Sequence, residues 1–570
     1  MRERVAPWYG GRAPGSRGPA AATPVGARLL WRDPALWVVR DAGQPTAHVR
    51  TVERGGARLA VLGPCSASER ELARALSSLD LGEAIGSWAG THTVVRMDGS
   101  GIVEVLADTA GASPLYVVDT PGGPVWGSSS LALSSLTGAK VDAEWLAARL
   151  RDPFSPLPGH SAWAGVRPVP PGHVLTLGAP GAGLSPWWRA VRRTPEEVAR
   201  RLRRVLAEGV RVRVEGVSAT ADLAGMDSTT ITLLAARYGP VTGVTLHPEG
   251  VTRGGDLEYA RALSVPGLDQ RFLPLGTRHL PFAPSDVPLP ATDEPATSTA
   301  TWSMFSDQLR MIAETGSGCH LTGDGGDALF LAAPTHLAAL VRRGRWLRML
   351  GDAMEWARLR RQDPRPLIAA ALRGDAGRIG RAPRPRPPWL AAPVPEVSPP
   401  AGTAAHPVFV ASLRNAARTA HSEIQLAAAL GVGLANPYFD GAVLDAVVSA
   451  PAGQRYSARR YKPLLADTFA ELLPEAHRER ATKGVFAGDF HQGLRRHLRR
   501  VLALTDGRLA AGGIIAPGPL REALHSAALG APTVWPPLLA ALAAEAWLEA
   551  VENAPVTRWE AAAPPPGDVR

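Results

Sequence analysis

The strongest constraint on the fold is a strand–turn–helix unit near the middle of the chain, Ala221-Asp222-Leu223-Ala224-Gly225-Met226-Asp227-Ser228-Thr229-Thr230. An apolar stretch, Gly216 to Leu223, leads in, and a helix-like stretch, Ser228 to Tyr238, leads out. Small residues between a strand and a helix let backbone N–H groups face outward at the helix N-terminus. That geometry holds a phosphate or a pyrophosphate. Asp227 and Ser228 add a carboxylate for a metal ion and a hydroxyl. The alternation then continues. Strands over 214–223, 241–247 and 270–275 enclose helices over 228–238 and 257–263. This βαβαβ order predicts a parallel sheet with crossover helices.

A second loop is more regular. His320-Leu321-Thr322 reads as a strand end and is followed by Gly323-Asp324-Gly325-Gly326-Asp327-Ala328-Leu329-Phe330. Three glycines make a backbone cradle with aspartates at its rim. Carboxylates at the strand ends of a parallel sheet suit Mg²⁺, which takes oxygen ligands and shares them with phosphates. The plain alternative is a Gly/Asp turn with solvated acids. Other polar clusters read as scaffold: His421-Ser422-Glu423 as a turn on a helix surface, and Cys319 as packing on a buried strand. The sixteen tryptophans read as mostly core, with Trp163 and Trp302 as candidates for lining a pocket.

At 570 residues the chain has room for two or three domains. The first ~185 residues are β-rich, with short alternating runs such as 91–96, 102–106 and 174–177 between Gly, Pro and Asp turns. We place a domain boundary near residue 188. An Arg-rich helix pattern follows from Pro195 to Gly209, and the chain beyond Leu329 is mostly helical. The Pro/Arg-crowded stretch, about 376–402, reads as a flexible insertion or lid, and 557–570 as a disordered tail. Two cysteines, Cys65 and Cys319, exclude a disulfide framework and point to a reducing cytoplasm. No apolar run is long enough for a membrane span. The net charge is +10, carried by arginine with only three lysines, Lys140, Lys462 and Lys483. The arginine clusters at 342–345 and 495–500 fall on helical patterns, which reads as solvated faces rather than a nucleic-acid groove.

Taken together, these motifs resemble the asparagine synthetase superfamily. Leu223 to Ser228 is similar to its pyrophosphate loop, Ser-Gly-Gly-x-Asp-Ser, and Gly323 to Phe330 to its Gly-x-Gly-x-Asp-Glu-Leu-Phe signature. Ala435-Asn436-Pro437-Tyr438-Phe439-Asp440 resembles Arg-x-Pro-Phe-Leu-Asp. Lys462 stands where that family has a lysine before a Leu-rich helix, and Arg480 to Phe486, with Lys483, resembles Arg-x-x-Lys-x-Gly-Phe. In the N-terminal part, Asp108 to Tyr116 and the Pro170-Pro171-Gly172-His173 turn resemble the glutamine amidotransferase half. The implied fold class is α/β: an Ntn-hydrolase-like β-rich sandwich over 1–188, a degenerate glutaminase. A parallel-sheet ATP-pyrophosphatase (adenine nucleotide α-hydrolase-like) synthetase domain with many helices would then cover 189–556.

The departures narrow the function. The family's glutaminase uses a cysteine directly after Met1; here residue 2 is arginine. Without that thiol, glutamine is not the expected source of nitrogen. Two branches with a disabled N-terminal half are the β-lactam synthetases and the lasso-peptide cyclases, and His320 to Asp327 and Thr292-Asp293-Glu294-Pro295 look closest to the cyclases. The resemblance implies that ATP and Mg²⁺ are needed, with Asp227 and Asp327 as metal ligands. The pyrophosphate would lie on Leu223, Ala224, Gly225, Met226, Asp227 and Ser228, adenine near Thr245 and Leu246, and the second loop would be Gly323, Asp324, Gly325 and Gly326. Lys483 would stabilise charge in the reaction. Lys462 would have a lesser part, with surface solvation as its alternative. The implied partners are a precursor core peptide, a leader-peptide protease and a leader-recognition protein. Asparagine or β-lactam-type synthesis and a non-catalytic peptide-binding scaffold stay open. In the pyrophosphate loop, Leu223 replaces a serine and Ala224 a glycine. An alanine there is strained only if φ is positive; a one-residue deletion is the other alignment.

Overall fold

The computed structural model describes residues 6–560 except 17–21, 41–47, 155–156, 179–180, 332, 361, 381–385, 395–404, 452–454, 456, 458 and 480–486. The N-terminal half stacks two six-stranded sheets. One contains Trp8–Arg12, Leu36–Val39, Leu115–Thr120 and Gly123–Gly127; the other contains Ala57–Leu62, Thr93–Met97, Val103–Leu106 and His173–Gly178. All their pairings are antiparallel. The alternation seen in the sequence turns one set of side chains inward. Leu36, Val38 and Val117 of one sheet meet Leu62, Val95, Val105 and Leu175 of the other. The outer faces are covered by helices, Glu69–Leu76 and Leu81–Ile85 on one side and Ser130–Thr137 and Ala143–Arg151 on the other. The result is the four-layer α–β–β–α sandwich expected of an Ntn-hydrolase-like domain.

The C-terminal half is built on a five-stranded, wholly parallel sheet in the order Leu268–Leu275, Val241–Pro248, Ala219–Asp222, Cys319–Leu321, Leu434–Ala435. Helices cover both faces. The mixed α/β class is therefore as expected, but local boundaries differ. Helix Pro195–Val214 runs past Gly209, so residues 214–218 are not strand. The positive φ of Gly216 turns the chain back into the sheet. The loop helix starts at Met226 and ends at Ala235.

The two halves share buried structure. Trp8, Trp37 and the helix Ala143–Arg151 pack in one core with the C-terminal helices Pro517–Ala528 and Trp535–Asn553. Arg213 forms a double ion pair with Asp440, and Thr91 of the sandwich donates to Asp440 Oδ1 at 2.8 Å. The segment 292–295 is another seam. Asp293 Oδ1 accepts from Ser129 Oγ and Leu131 N, both at 2.8 Å, at the start of helix Ser130–Thr137, and Glu294 pairs with Arg149 and Arg418.

Three sequence expectations change here. Trp389 and Leu390, inside the presumed lid, are buried in the shared core, so the described part of that insertion is an anchor. Trp559–Glu560, in the presumed disordered tail, pairs with Thr23–Pro24. His421-Ser422-Glu423 is not a surface turn: it lies inside helix Ala405–Ala429, with Ser422 buried and Glu423 accepting from Thr297 and Ser298. Trp302 and Trp163 are both core residues. Among the described residues, no helix is long and apolar enough to cross a membrane.

Candidate active site

The chain enters the parallel sheet at its central strand, Ala219–Asp222. It next builds outward to one side, through Val241–Pro248 and Leu268–Leu275, and then returns to the other side at Cys319–Leu321. The loops leaving Ala219–Asp222 and Cys319–Leu321 thus diverge at the topological switch point, where open parallel sheets bind ligands outside their carboxyl ends. These are the Leu223–Ser228 and Gly323–Asp327 loops, so the topology brings the two sequence-predicted loops to one crevice.

The loops are packed into each other. A Cβ on Gly323 would lie 2.8 Å from Ser228 N, and one on Gly326 would overlap the Asp227 carboxylate. Gly325 has φ +94 and lies against Tyr438 and Phe439. The glycines are therefore required by close approach as much as by turn geometry. Ser228 Oγ accepts from both Ala224 N and Gly225 N, each at 3.2 Å. Two backbone N–H groups converging on one oxygen are what a phosphate oxygen needs, so the residues present fit a pyrophosphate there.

Leu223 has no such part. It is fully buried, packs with Ala260 and Leu263, and its N–H continues the ladder to Val244 O at 2.8 Å. The hydroxyl expected from a serine at this position is absent, and the side chain is core. Ala224 is unstrained, since only Phe282 and Lys462 have positive φ among described non-glycine residues. Met226 is buried in the core behind the loop. Thr245 is buried, with its hydroxyl donated to Leu223 O at 2.5 Å, while Leu246 is half-buried at the next position.

Lys462 is the largest correction to the sequence reading. It is 1 % exposed in its side chain rather than solvated, and its ammonium pairs with both Asp227 and Asp327 Oδ1, the latter at 2.5 Å. Burial lowers its pKa, but Asp227 and Asp327 outweigh that and hold it above the ordinary lysine value. The two carboxylates expected to bind Mg²⁺ therefore converge on one cation. That donor set fits a divalent ion. Among the described residues no cluster of three or more His, Cys, Asp or Glu forms a metal site, so phosphate and water oxygens would complete the coordination. Lys483 lies outside the described residues. Asp324 N bonds Thr322 Oγ1 at 3.1 Å.

Sequence reasoning picked out the motifs that hold Thr322, Asn436 and Tyr438 but gave these residues no part in bracing this crevice. Tyr438 is buried and donates to Asp227 O at 3.1 Å, and Thr322 Oγ1 donates to Asn436 Oδ1 at 2.7 Å. The Ala435–Asp440 motif thus supports the two loops and, through Asp440, the interdomain pair.

A parallel sheet with a phosphate loop and an acidic glycine loop at its switch point defines a nucleotide-binding α/β domain. The sequence profile described as asparagine synthase matches residues 201–549, more than half of the chain, and the chain belongs to that family. The family makes carbon–nitrogen bonds with ATP, so this is an ATP-dependent ligase of the asparagine synthetase type. No curated protein matches the chain significantly. Solved structures that align with it include these two. One is the glutamine phosphoribosylpyrophosphate amidotransferase from B. subtilis complexed with ADP and GMP, at 10% identity and TM-score 0.20, over 51% of this chain and 68% of that one. The other is described as the allosteric regulatory enzyme of purine biosynthesis, at 9% identity and TM-score 0.21, over 49% and 76%. At these scores neither likeness carries an argument.

Proposed function

We propose that the protein closes a macrolactam ring in a peptide, as the lasso-peptide cyclases do. A side-chain carboxylate of Asp or Glu attacks the α-phosphorus of ATP, pyrophosphate leaves, and the peptide's own N-terminal amine attacks the resulting acyl-adenylate to release AMP. The observation that carries this reading is the chemistry of the sandwich half. Its partner domain is an amide-forming ligase, yet burial disfavours the thiolate of both of the chain's cysteines. Burial raises Cys65 to about 11 and Cys319 to about 11, and neither lies on the first strand, Trp8–Arg12. A glutamine-derived ammonia is then not the nucleophile, and the amine arrives with the substrate.

The chain's own residues have distinct tasks in this scheme. Ala224 N and Gly225 N would hold the departing pyrophosphate, while Asp227 and Asp327 would hold Mg²⁺, which supplies charge neutralisation on the phosphates when bound. Lys462 orients both carboxylates, and Lys483 is assigned to the charge that develops on the reacting groups. A core peptide is the expected substrate, and a leader-peptide protease and a leader-recognition protein are the expected partners. The test is ATP–pyrophosphate exchange with linear synthetic peptides that carry a free N-terminal amine and one internal Asp or Glu. Peptide-dependent exchange, AMP release and a product lighter by one water are expected. Asparagine formation from aspartate, ATP and ammonia, or tight peptide binding with no exchange, would overturn the reading.

A further inference from the structure

Beside the nucleotide loop lies a carboxylate that the scheme above does not use. Asp222 is the last residue of the central strand and stands directly before Leu223. Its neighbours are fixed by the sheet. Thr220 is in register with His320 on the adjacent strand, so Thr220, Asp222 and His320 share one face, which helix Trp302–Glu314 covers. Gln308 Nε2 donates to Asp222 Oδ1 at 3.0 Å, and His320 Nε2 lies 3.3 Å from the same oxygen. His320 Nδ1 lies 2.9 Å from Thr220 Oγ1, whose hydroxyl donates to Ser317 Oγ at 3.0 Å. The Asp222 backbone carbonyl is held as well, by Thr232 Oγ1 at 2.8 Å.

The arrangement is lopsided. His320 is 1 % exposed in its side chain, but Asp222 is 30% exposed. Both held contacts fall on Oδ1, and among the described residues nothing bonds Oδ2. No described lysine or arginine pairs with Asp222. A carboxylate with Oδ1 held by Gln308 and no described lysine or arginine beside it, at the mouth of a parallel sheet, suits an incoming cation.

We infer that Asp222 receives the attacking amine, binding it as an ammonium and accepting a proton as it adds to the acyl carbon. This role rests on the proposed amide-forming reaction. The nitrogen first loses one proton to solvent water to become nucleophilic. As its lone pair forms the N–C bond, its remaining protons become strongly acidic, so a carboxylate suffices as acceptor. The C–O bond to the adenylate then breaks, and AMP leaves with the electron pair. His320, Thr220 and Gln308 are positioning residues that keep Oδ2 turned outward.

Asp222→Asn tests this, because the amide oxygen can still accept from Gln308. Exchange, which precedes amine attack, is expected to stay within about threefold of wild type, while ring closure falls at least ~100-fold. Hydroxylamine, which needs no base at neutral pH, is expected to trap the acyl-adenylate equally well in both proteins. Intact ring closure in Asp222→Asn would overturn the role, and so would parallel loss of exchange and closure, which marks a structural or nucleotide-binding part. If Asp222→Asn does not fold, His320→Gln serves instead, with a roughly tenfold loss of closure at unchanged exchange expected and an equal loss of both overturning the role. Absence of exchange in the wild type with every peptide would overturn the proposed function, and this role with it.

Discussion

In the N-terminal sandwich, polar groups at the sheet edges are bonded to one another. Tyr9 joins Thr93 and Ser113 at 2.8 and 2.5 Å, and Asp108 Oδ2 accepts from Ala112 N at 2.8 Å. Part-buried His92 lines a cavity of about 30 Å³ between the halves, room for little more than a water molecule. At the mouth of the C-terminal sheet, similar groups point at a shared space: Asp227 and Asp327 at one ammonium, and Ala224 N and Gly225 N at one oxygen, with part-exposed Asp222 beside them. The contrast is between a half whose polar groups bond to one another and a half whose polar groups converge on a shared space.

The sharpest way to break this contrast is to remove the carboxylates. Asp227→Ala and Asp327→Ala are each expected to lower pyrophosphate exchange at least ~1,000-fold, as loss of charge stabilisation at a phosphoryl group does. Activity within tenfold of wild type in either variant would reject its metal role. Next in size is Lys462→Met. It leaves two acids facing each other, and breaking a buried ion pair costs about 3 kcal/mol. The variant is expected to melt well below wild type without Mg²⁺ and to recover much of the difference when Mg²⁺ is added. Thermal melts with and without the ion read this directly, and a Mg²⁺-independent loss would assign Lys462 to packing alone.

A smaller effect probes the sandwich. Burial lowers the His92 pKa from 6.5 to about 4. A group held below its unfolded pKa lends its stability above that value and loses it as pH falls. Between pH 7 and pH 5 the unfolded chain takes up a proton that the folded one does not, a loss of about 2 kcal/mol. His92→Gln is expected to remove that part of the acid destabilisation, measured as the difference in denaturant midpoints at the two pH values. An unchanged pH dependence would mean that His92 titrates freely in the fold.

The sequence reveals the two loops because their glycines and aspartates are contiguous and follow recognisable strand ends. It does not reveal the burial of Lys462, since Asp227 is 235 residues away and only the closed fold brings them together. The same distance effect hides Tyr438 and the seam at Asp293 and Glu294. Helix Pro195–Val214 outruns its pattern because Arg213, charged but buried, is paid for by Asp440 across the interface. Asp222 and His320 left a weak trace: an aspartate and a histidine each just ahead of its loop, on strands that turn out to be neighbours.

The least effect is expected at Ala224, and it bears on how the altered loop works. If the alanine sat in a left-handed conformation, restoring glycine would relieve strain and raise both stability and exchange. The φ of Ala224 is not positive, and its N–H already points at Ser228 Oγ. Glycine therefore brings no relief and adds freedom to the unfolded chain. Ala224→Gly is expected to lower stability by about 0.5–1 kcal/mol and to change exchange less than about twofold. Leu223→Ser separates the two departures. The serine would leave a hole beside Ala260 and Leu263 and would place its hydroxyl in the core rather than on phosphate. A rise in exchange in that variant would show that the loop can flip its strand end outward. A fall in stability with no gain in exchange would confirm that phosphate is held here by backbone alone.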